Sequence, residues 1–149
     1  FGKVKINLTS KLDFYKWFKK SFIIFIYQKV KMKVNAKVDT LLNKIVKDLE
    51  DVKAKDIQII NIKNRSALGD YMIIVSGTSS RHINSIVSNI VKLNKSHILS
   101  TEGINSTDWL IVDFGDIILN VFKPETREHY SLEKIWKNND LEDEKFGFG

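Results

Sequence analysis

Three acidic side chains lie near one short turn in the last third of the sequence. Asp113 and Asp116 flank this turn, and Asp108 lies just upstream. A nucleotidyl-transfer site needs two carboxylates that face one metal ion, which on a strand means a spacing of two residues. Because side chains alternate between the two faces of a strand, the spacing of three between Asp113 and Asp116 does not provide that pair. We therefore expect neither a metal site nor two-metal catalysis at this turn.

The other residue types that commonly carry out catalysis also lack the required spacing. No zinc-ligand pattern is formed by the three histidines, His82, His97 and His129. Ser79 and Ser80 lack the glycine-flanked pattern of a hydrolase nucleophile, and the turn around them holds one glycine rather than a phosphate-binding set. The sequence contains no cysteine, which excludes disulfides and thiolate chemistry. We predict that the protein is not an enzyme and uses no cofactor.

The positive charge of the chain is concentrated in its first fifth. The 149 residues carry a formal net charge of +6. Residues 1–32 hold eight lysines and one acid, a net charge of +7, so residues 33–149, with sixteen basic and seventeen acidic side chains, carry −1. A nucleic-acid-binding domain normally carries a basic face. The nearly neutral main part of the chain therefore favours a protein partner, with limited direct contact to RNA.

Residues 1–31 form a basic, aromatic extension for which the sequence leaves three interpretations open. The apolar run at 22–27 is six residues long, whereas about 18 are needed to cross a bilayer. The segment also lacks the cleavage pattern of a signal peptide and the arginines of a transit peptide. It is a non-native extension, a helix that lies on a membrane or RNA surface, or a segment that targets a mitochondrion or plastid. Apart from the last case, we expect a cytoplasmic protein that requires no membrane.

Hydrophobic spacing predicts alternating helices and strands beyond this extension. Apolar residues at steps of three and four predict helices over 34–52 and 83–91. Alternating or continuous β-branched runs predict strands at 57–62 and 71–75. The second helix is expected to be capped in the serine-rich turn 76–80. A strand, this helix and a following strand are expected to form a βαβ unit.

The last third of the sequence predicts a hairpin followed by short helices. Strands at 109–112 and 117–122 are joined by a tight Gly-Asp turn. Pro124 suits the first position of a short helix, and Ser131 is expected to cap a second one. We predict an α/β fold in a single domain, with helices covering a mixed sheet. An acidic, flexible tail is expected over residues 138–149.

Trp109 is the strongest indication of a protein interface. Tryptophan most often packs in a core, but one at the end of a hairpin beside a rigid turn suits an exposed anchor. Truncation of such an anchor typically costs about 2 kcal/mol of binding free energy or more. We therefore expect Trp109→Ala to leave the fold intact and to weaken binding to a partner.

A series of short motifs follows in order between Met32 and Trp136. They are Asp70–Ile74, Gly77–His82, Glu102-Gly103, Asp108-Trp109, Asp113–Asp116, Arg127, Tyr130, Leu132-Glu133 and Trp136. Their order and spacing resemble the ribosomal silencing factor family, also called Iojap-related proteins. A domain of this family is therefore expected over residues 32–137.

The resemblance implies a fold and a function. The implied fold is a mixed five-stranded sheet flanked by helices, similar to the nucleotidyltransferase fold without its catalytic carboxylates. The implied function is binding to the L-fourteen protein of the large ribosomal subunit, which stops the small subunit from joining and so represses translation. A nucleotide-binding enzyme with a nucleotidyltransferase-like fold is the alternative. We expect a monomer or a weak homodimer.

When the family's binding positions are matched to this sequence one by one, the resemblance also implies which residues bind the partner. The implied partner contacts are Trp109, Phe114, Asp108, Asp113 and Asp116, the acids supplying negative charge toward a basic ribosomal protein. The other motif positions either contact the partner or support the fold, and the sequence leaves this choice open. They are Asp70, Thr78, Ser79, Ser80, Arg81, His82, Glu102, Gly103, Gly115, Arg127, Tyr130 and Glu133.

Overall fold

The computed structural model describes residues 11–103 and 108–136, without the side chains at 11–22, 25, 28 and 31–35. The helices are α1 Lys11–Asp51, α2 Ser80–Leu93 and α3 Pro124–Tyr130. The strands are β1 Lys55–Asn61, β2 Tyr71–Ser76, β3 Ser100–Glu102, β4 Trp109–Asp113 and β5 Ile117–Phe122. Residues 132–136 form a further short helical segment. The predicted tail at 138–149 lies outside the described residues.

The chain divides into two compact units, Phe1–Thr40 and Leu41–Gly149. Within the first unit, α1 begins at Lys11, so the prediction that this helix starts near residue 34 is wrong. The apolar stripe marks where a helix buries one face, but it does not mark where the helix begins. No glycine or proline interrupts residues 11–51, so the stretch contains neither of the two strongest helix breakers. No helix in the described ranges is long and apolar enough to cross a membrane.

The second unit is built on one five-stranded mixed sheet with the strand order β1-β2-β5-β4-β3. The central pair, β2 and β5, is parallel, and the other three pairs are antiparallel. Between β2 and β5 the chain passes through α2, β3 and β4, so the predicted crossover unit also contains two strands. The predicted α/β fold with a mixed sheet flanked by helices is confirmed.

One face of the sheet is covered over strands β2, β4 and β5. Six side chains of these strands on this face are each at most 2% exposed; they are Ile73, Val75, Leu110, Val112, Leu119 and Val121. Helix α2 contacts β4 and β5 and buries the stripe Ile83, Ile86, Val87 and Ile90. This stripe has the spacing of a helix with one apolar face, as the sequence predicted.

The opposite face of the sheet is covered at one end and partly open at the other. A small core of Ile62, Met72, Ile74 and Phe122 lies at the covered end, and Leu132 and Trp136 of the short helical segment pack against it. Toward β3 and β4, the side chains of this face are half-buried on β4 and exposed on β3. Because the helices do not close this end, the sheet leaves an apolar surface there, and two of the predicted interface residues, Trp109 and Asp113, lie on it.

Candidate protein-binding face

A groove of about 360 Å³ runs over the open end of the sheet. It is lined by Leu68, Met72, Ser100, Glu102, Trp109, Ile111, Asp113, Ile118, Asn120 and Leu132. Strand alternation places these side chains together, because Ile111 lies opposite Asn120 and Asp113 lies opposite Ile118 in the β4–β5 register. We call this surface the sheet groove.

Trp109 lies at one end of the sheet groove and is half-buried rather than freely exposed. Its ring stacks on Phe122, the residue opposite it on β5, with 4.8 Å between the ring centroids. Its indole Nε1 donates a hydrogen bond to Oδ1 of Asn120 at 3.1 Å. These contacts make Trp109 part of the fold, so the expectation that Trp109→Ala leaves the fold intact conflicts with the structure.

Tyr130 extends the same aromatic stack to the surface. Its ring centroid lies 4.8 Å from that of Trp109, and the residue is 49% exposed. His129 packs edge-on against Tyr130 at 5.1 Å. Tyr130 is therefore more accessible than Trp109 and Phe122, the other two rings of the stack. From the sequence, Tyr130 was one of the motif positions whose role, in partner contact or in the fold, was left open.

The predicted turn between β4 and β5 is present, but Phe114 lies inside the protein. Phe114 is 7% exposed, so its ring belongs to the core and does not provide the surface contact expected from the sequence. Gly115 has a φ of +88°, which glycine adopts without the steric cost of a side chain. The Gly115 N–H donates to Oδ1 of Asp113 at 2.7 Å, so this carboxylate also closes the turn.

The acidic side chains near the groove are not equivalent. Asp113 and Glu102 line the sheet groove, and Asp116 is exposed at the turn. The carbonyl oxygen of Asp116 accepts hydrogen bonds from the N–H groups of Asp70 and Tyr71 at 2.7 and 3.0 Å. Glu102, Asp113 and Asp116 are therefore the acids placed to present negative charge at this face.

Asp108 is exposed, but its carboxylate forms an ion pair with Lys123 at 3.1 Å. The Lys123 N–H also donates to the Asp108 carbonyl oxygen at 2.9 Å. Because a cation lies beside it, the charge of Asp108 is partly offset before any partner approaches. The structure thus favours a local structural role for this residue.

Two motif residues, Arg127 and Glu133, hold segments of the fold together. Arg127 Nε donates to Glu133 at 2.6 Å, and its Nη1 donates to the carbonyl oxygen of Asp56 and to the hydroxyl of Ser76 at 2.8 and 2.9 Å. A second cavity of about 430 Å³, lined mainly by polar and charged residue types, borders this cluster. Since the guanidinium already donates to three partners, it serves as a link between α3, β1, β2 and the segment 132–136.

The motif at the start of α2 is a helix cap, as the sequence predicted. Ser79 is the N-cap residue, and its hydroxyl accepts the His82 N–H at 3.1 Å. His82 Nδ1 accepts the Thr78 N–H at 2.9 Å, and its Nε2 lies 3.1 Å from the Val52 carbonyl oxygen. An unprotonated Nδ1 with a proton on Nε2 satisfies both contacts. Ser80 is half-buried and Arg81 exposed on the same turn.

Gly103, another motif position, is required by the backbone. Its φ is +80°, and a Cβ atom there would lie 2.5 Å from the Trp109 carbonyl oxygen. A side chain at this position would therefore collide with the start of β4.

Ile111, Ile118 and Asn120 line the groove but were not singled out from the sequence. The available signal was one asparagine within the otherwise apolar strand Ile117–Phe122. No group of three or more histidines or acids among residues 11–103 and 108–136 is arranged to hold a metal ion. The described residues thus define a small α/β protein with an apolar, acid-rimmed sheet groove.

The comparisons with known proteins agree on one family. The family model described as "Ribosomal silencing factor during starvation" matches residues 35–147. A ribosomal silencing factor from Zymomonas mobilis is 34% identical over 109 residues, 71% of this chain and 82% of that protein. This chain therefore belongs to the ribosomal silencing factor family, and the resemblance seen in the sequence is confirmed.

Two further similarities extend this assignment. The mouse protein named "Mitochondrial assembly of ribosomal large subunit protein 1" is 36% identical over 118 residues. The match covers 74% of this chain but half of the mouse protein. A crystal structure of a protein from Chromobacterium violaceum superposes with a TM-score of 0.63 at 30% identity, covering 66% of this chain and 85% of that one. The family fold is therefore shared in sequence and in structure.

Proposed function

We propose that this protein binds the L-fourteen protein of the large ribosomal subunit and blocks joining of the small subunit, and so represses translation. The observation that carries the proposal is the sheet groove, an apolar surface that the helices of the fold leave open. The family name, ribosomal silencing factor, supports the ribosome as the target.

The composition of the groove supports a basic protein as its partner. Ile111, Ile118 and the edge of Trp109 supply apolar contact area, while Glu102 and Asp113 place negative charge in the same groove. Apolar contacts provide most of the affinity at such interfaces, and complementary charges raise the association rate and select the partner. Asp116 and Tyr130, both exposed beside the groove, extend this surface.

Steric exclusion is sufficient for the proposed activity. An interface of about 800 Å² per partner is the usual size for a stable protein complex. A protein held at the joining surface of the large subunit occupies space that the small subunit needs, so no catalytic step is required. Inhibition then depends on affinity and occupancy.

The alternative, a nucleotide-binding enzyme, gains no support from the geometry at the turn. The carboxylate of Asp113 closes the turn by accepting the Gly115 N–H, and Asp116 lies beyond it on the connection between the strands. We expect calorimetry to detect no magnesium-dependent binding of nucleoside triphosphates. Measurable heat of binding would favour the enzyme.

The proposal is tested by co-sedimentation of the protein with separated ribosomal subunits. We expect the wild-type protein to sediment with large subunits and not with small subunits, and to reduce subunit joining measured by light scattering. The double variant Asp113→Asn, Asp116→Asn removes two charges, while an asparagine at 113 still accepts the Gly115 N–H. Rim charges contribute modestly, so we expect binding roughly three- to tenfold weaker.

A matched control removes two exposed acids elsewhere. Glu50 and Asp51 are both exposed at the end of α1, so Glu50→Gln, Asp51→Asn changes the net charge by the same amount. This control should bind large subunits as the wild type does. Equal losses in both double variants would mean that net charge, and not the groove, determines binding. Failure of the wild type to bind large subunits would refute the proposal.

We further propose that the domain over residues 32–137 acts as a monomer or weak homodimer in the cytoplasm. The name of the mouse relative keeps a mitochondrial location as the alternative, to which residues 1–31 would direct the protein. Fractionation of cells into cytosol and organelles distinguishes these cases, and mass spectrometry of the mature N-terminus shows whether residues 1–31 are retained or removed, as a targeting segment is on import. Light scattering of the purified protein measures its oligomeric state.

A further inference from the structure

One buried hydrogen-bond donor in the sheet groove is left unpaired. Asn120 is 3% exposed, and its Nδ2 has no hydrogen-bond partner among the described residues. The orientation of this amide follows from its neighbour, because the indole N–H of Trp109 is a donor and must meet Oδ1. Nδ2 therefore points away from Trp109 and cannot exchange places with Oδ1 without breaking that bond.

The neighbours of this amide on the sheet are apolar. Ile74 on β2 and Ile111 on β4 lie opposite Asn120 in the two strand registers. Ile118 and Phe122, two residues away along β5, lie on the same face. A buried donor without an acceptor is energetically unfavourable. The free protein carries this unfavourable group in the floor of a groove that a partner is proposed to fill.

We propose that Nδ2 of Asn120 donates a hydrogen bond to a neutral carbonyl oxygen of the partner protein, and that this bond makes Asn120 a specificity-determining residue. The inference rests on the proposed function, since the partner is the protein that occupies the sheet groove. A neutral oxygen fits better than a carboxylate because Glu102 and Asp113 line the same groove and repel anions. Since Nδ2 is itself buried, this bond requires that a lining side chain rotate aside as the partner binds.

A pair of variants isolates this donor. Trp109→Phe removes the indole N–H and keeps an aromatic ring, and it serves as the reference. In this reference, Oδ1 of Asn120 has already lost the indole N–H that it accepted. The double variant Trp109→Phe, Asn120→Leu then removes the amide itself, and with it the Nδ2 donor. Replacing both members of a buried polar pair by apolar groups is close to neutral for stability. The double variant should therefore be at least as stable as Trp109→Phe but bind large subunits roughly tenfold more weakly.

The outcome separates this inference from the proposed function. A merely structural role for Asn120 would change stability and leave affinity unchanged, so equal affinities of the reference and the double variant overturn the inference alone. If wild-type protein does not bind large subunits, both the proposed function and the inference fall.

A second variant covers the case in which the double variant does not fold. Asn120→Ala removes the Nδ2 donor without adding a charge or a larger side chain, and it leaves the indole N–H on Trp109, a residue that is only half-buried. Folding is checked by circular dichroism, and we expect its binding to fall roughly tenfold or more. Wild-type affinity in this folded variant would overturn the inference.

Discussion

Replacement of Arg127 tests whether this motif residue supports the fold rather than the partner interface. Its guanidinium donates to Glu133, to the Asp56 carbonyl oxygen and to the Ser76 hydroxyl. The side chains of Arg127 and Glu133 are 13% and 17% exposed. Arg127→Met would therefore leave a mostly buried carboxylate and two further acceptors without their donor.

The expected loss follows from these contacts. Removal of one partner from a mostly buried ion pair costs about 3 kcal/mol of unfolding free energy. For a domain of this size, that loss lowers Tm by roughly 10 °C. Thermal and urea unfolding followed by circular dichroism measure it. Arg81→Met is the matched control, because Arg81 is exposed on the first turn of α2, and its effect should stay within about 0.5 kcal/mol.

A double variant makes this test more specific. In Arg127→Met, Glu133→Leu no buried carboxylate remains, so much of the lost stability should return. The reasoning would be refuted if Arg127→Met were as stable as Arg81→Met. It would also be refuted if Arg127→Met kept normal stability while binding to large subunits was lost, because Arg127 would then be a contact residue.

Four further substitutions should give measurable stability changes. Gly103→Ala should destabilise by about 2 kcal/mol or more, because the new Cβ would meet the Trp109 carbonyl oxygen at 2.5 Å. Gly115→Ala, at a similar φ but without a backbone clash, should cost about 1 kcal/mol in the same urea unfolding experiment; equal costs would contradict the steric argument. Ser79→Ala removes the N-cap of α2 and should cost about 1 kcal/mol, whereas the neighbouring Ser80→Ala should be nearly neutral. Trp109→Ala should lower unfolding free energy by about 3 kcal/mol, through loss of its stacking and burial, and an unchanged Tm would show that the ring is a free surface anchor.

The elements that bury a regular apolar pattern were predictable from the sequence. Helix α2 was predicted from apolar residues spaced with a period of 3.6, and strand β2 was predicted from a continuous apolar run. The predicted bounds of both elements lie close to those in the structure. Strand β3 was missed because Ser100–Glu102 contains no apolar residue. It is a strand because it pairs with β4, with Ser100 opposite Asp113, which local sequence does not encode.

Ser131 shows a limit of the local rules. The helical segment that it was predicted to cap is present at 132–136, but Ser131 itself adopts a left-handed conformation at the end of α3, with a φ of 48°. Its hydroxyl donates to the Glu128 carbonyl oxygen at 2.5 Å. A serine caps either end of a helix with a similar local sequence, so the choice depends on how the chain continues in three dimensions.

The sequence by itself determined the family and the α/β class, because motif order and hydrophobic period are properties of the chain, and it predicted a binding surface near β4 and β5. Only the tertiary structure decided the role of each side chain there. Burial placed Phe114 inside, and the β4–β5 register set Trp109 on Phe122 and Asn120 beside Ile111. These contacts join residues that are separated along the chain. The strength of each contact depends on the solvent exposure of the side chains and on the distance between their atoms, and the order of residues specifies neither quantity.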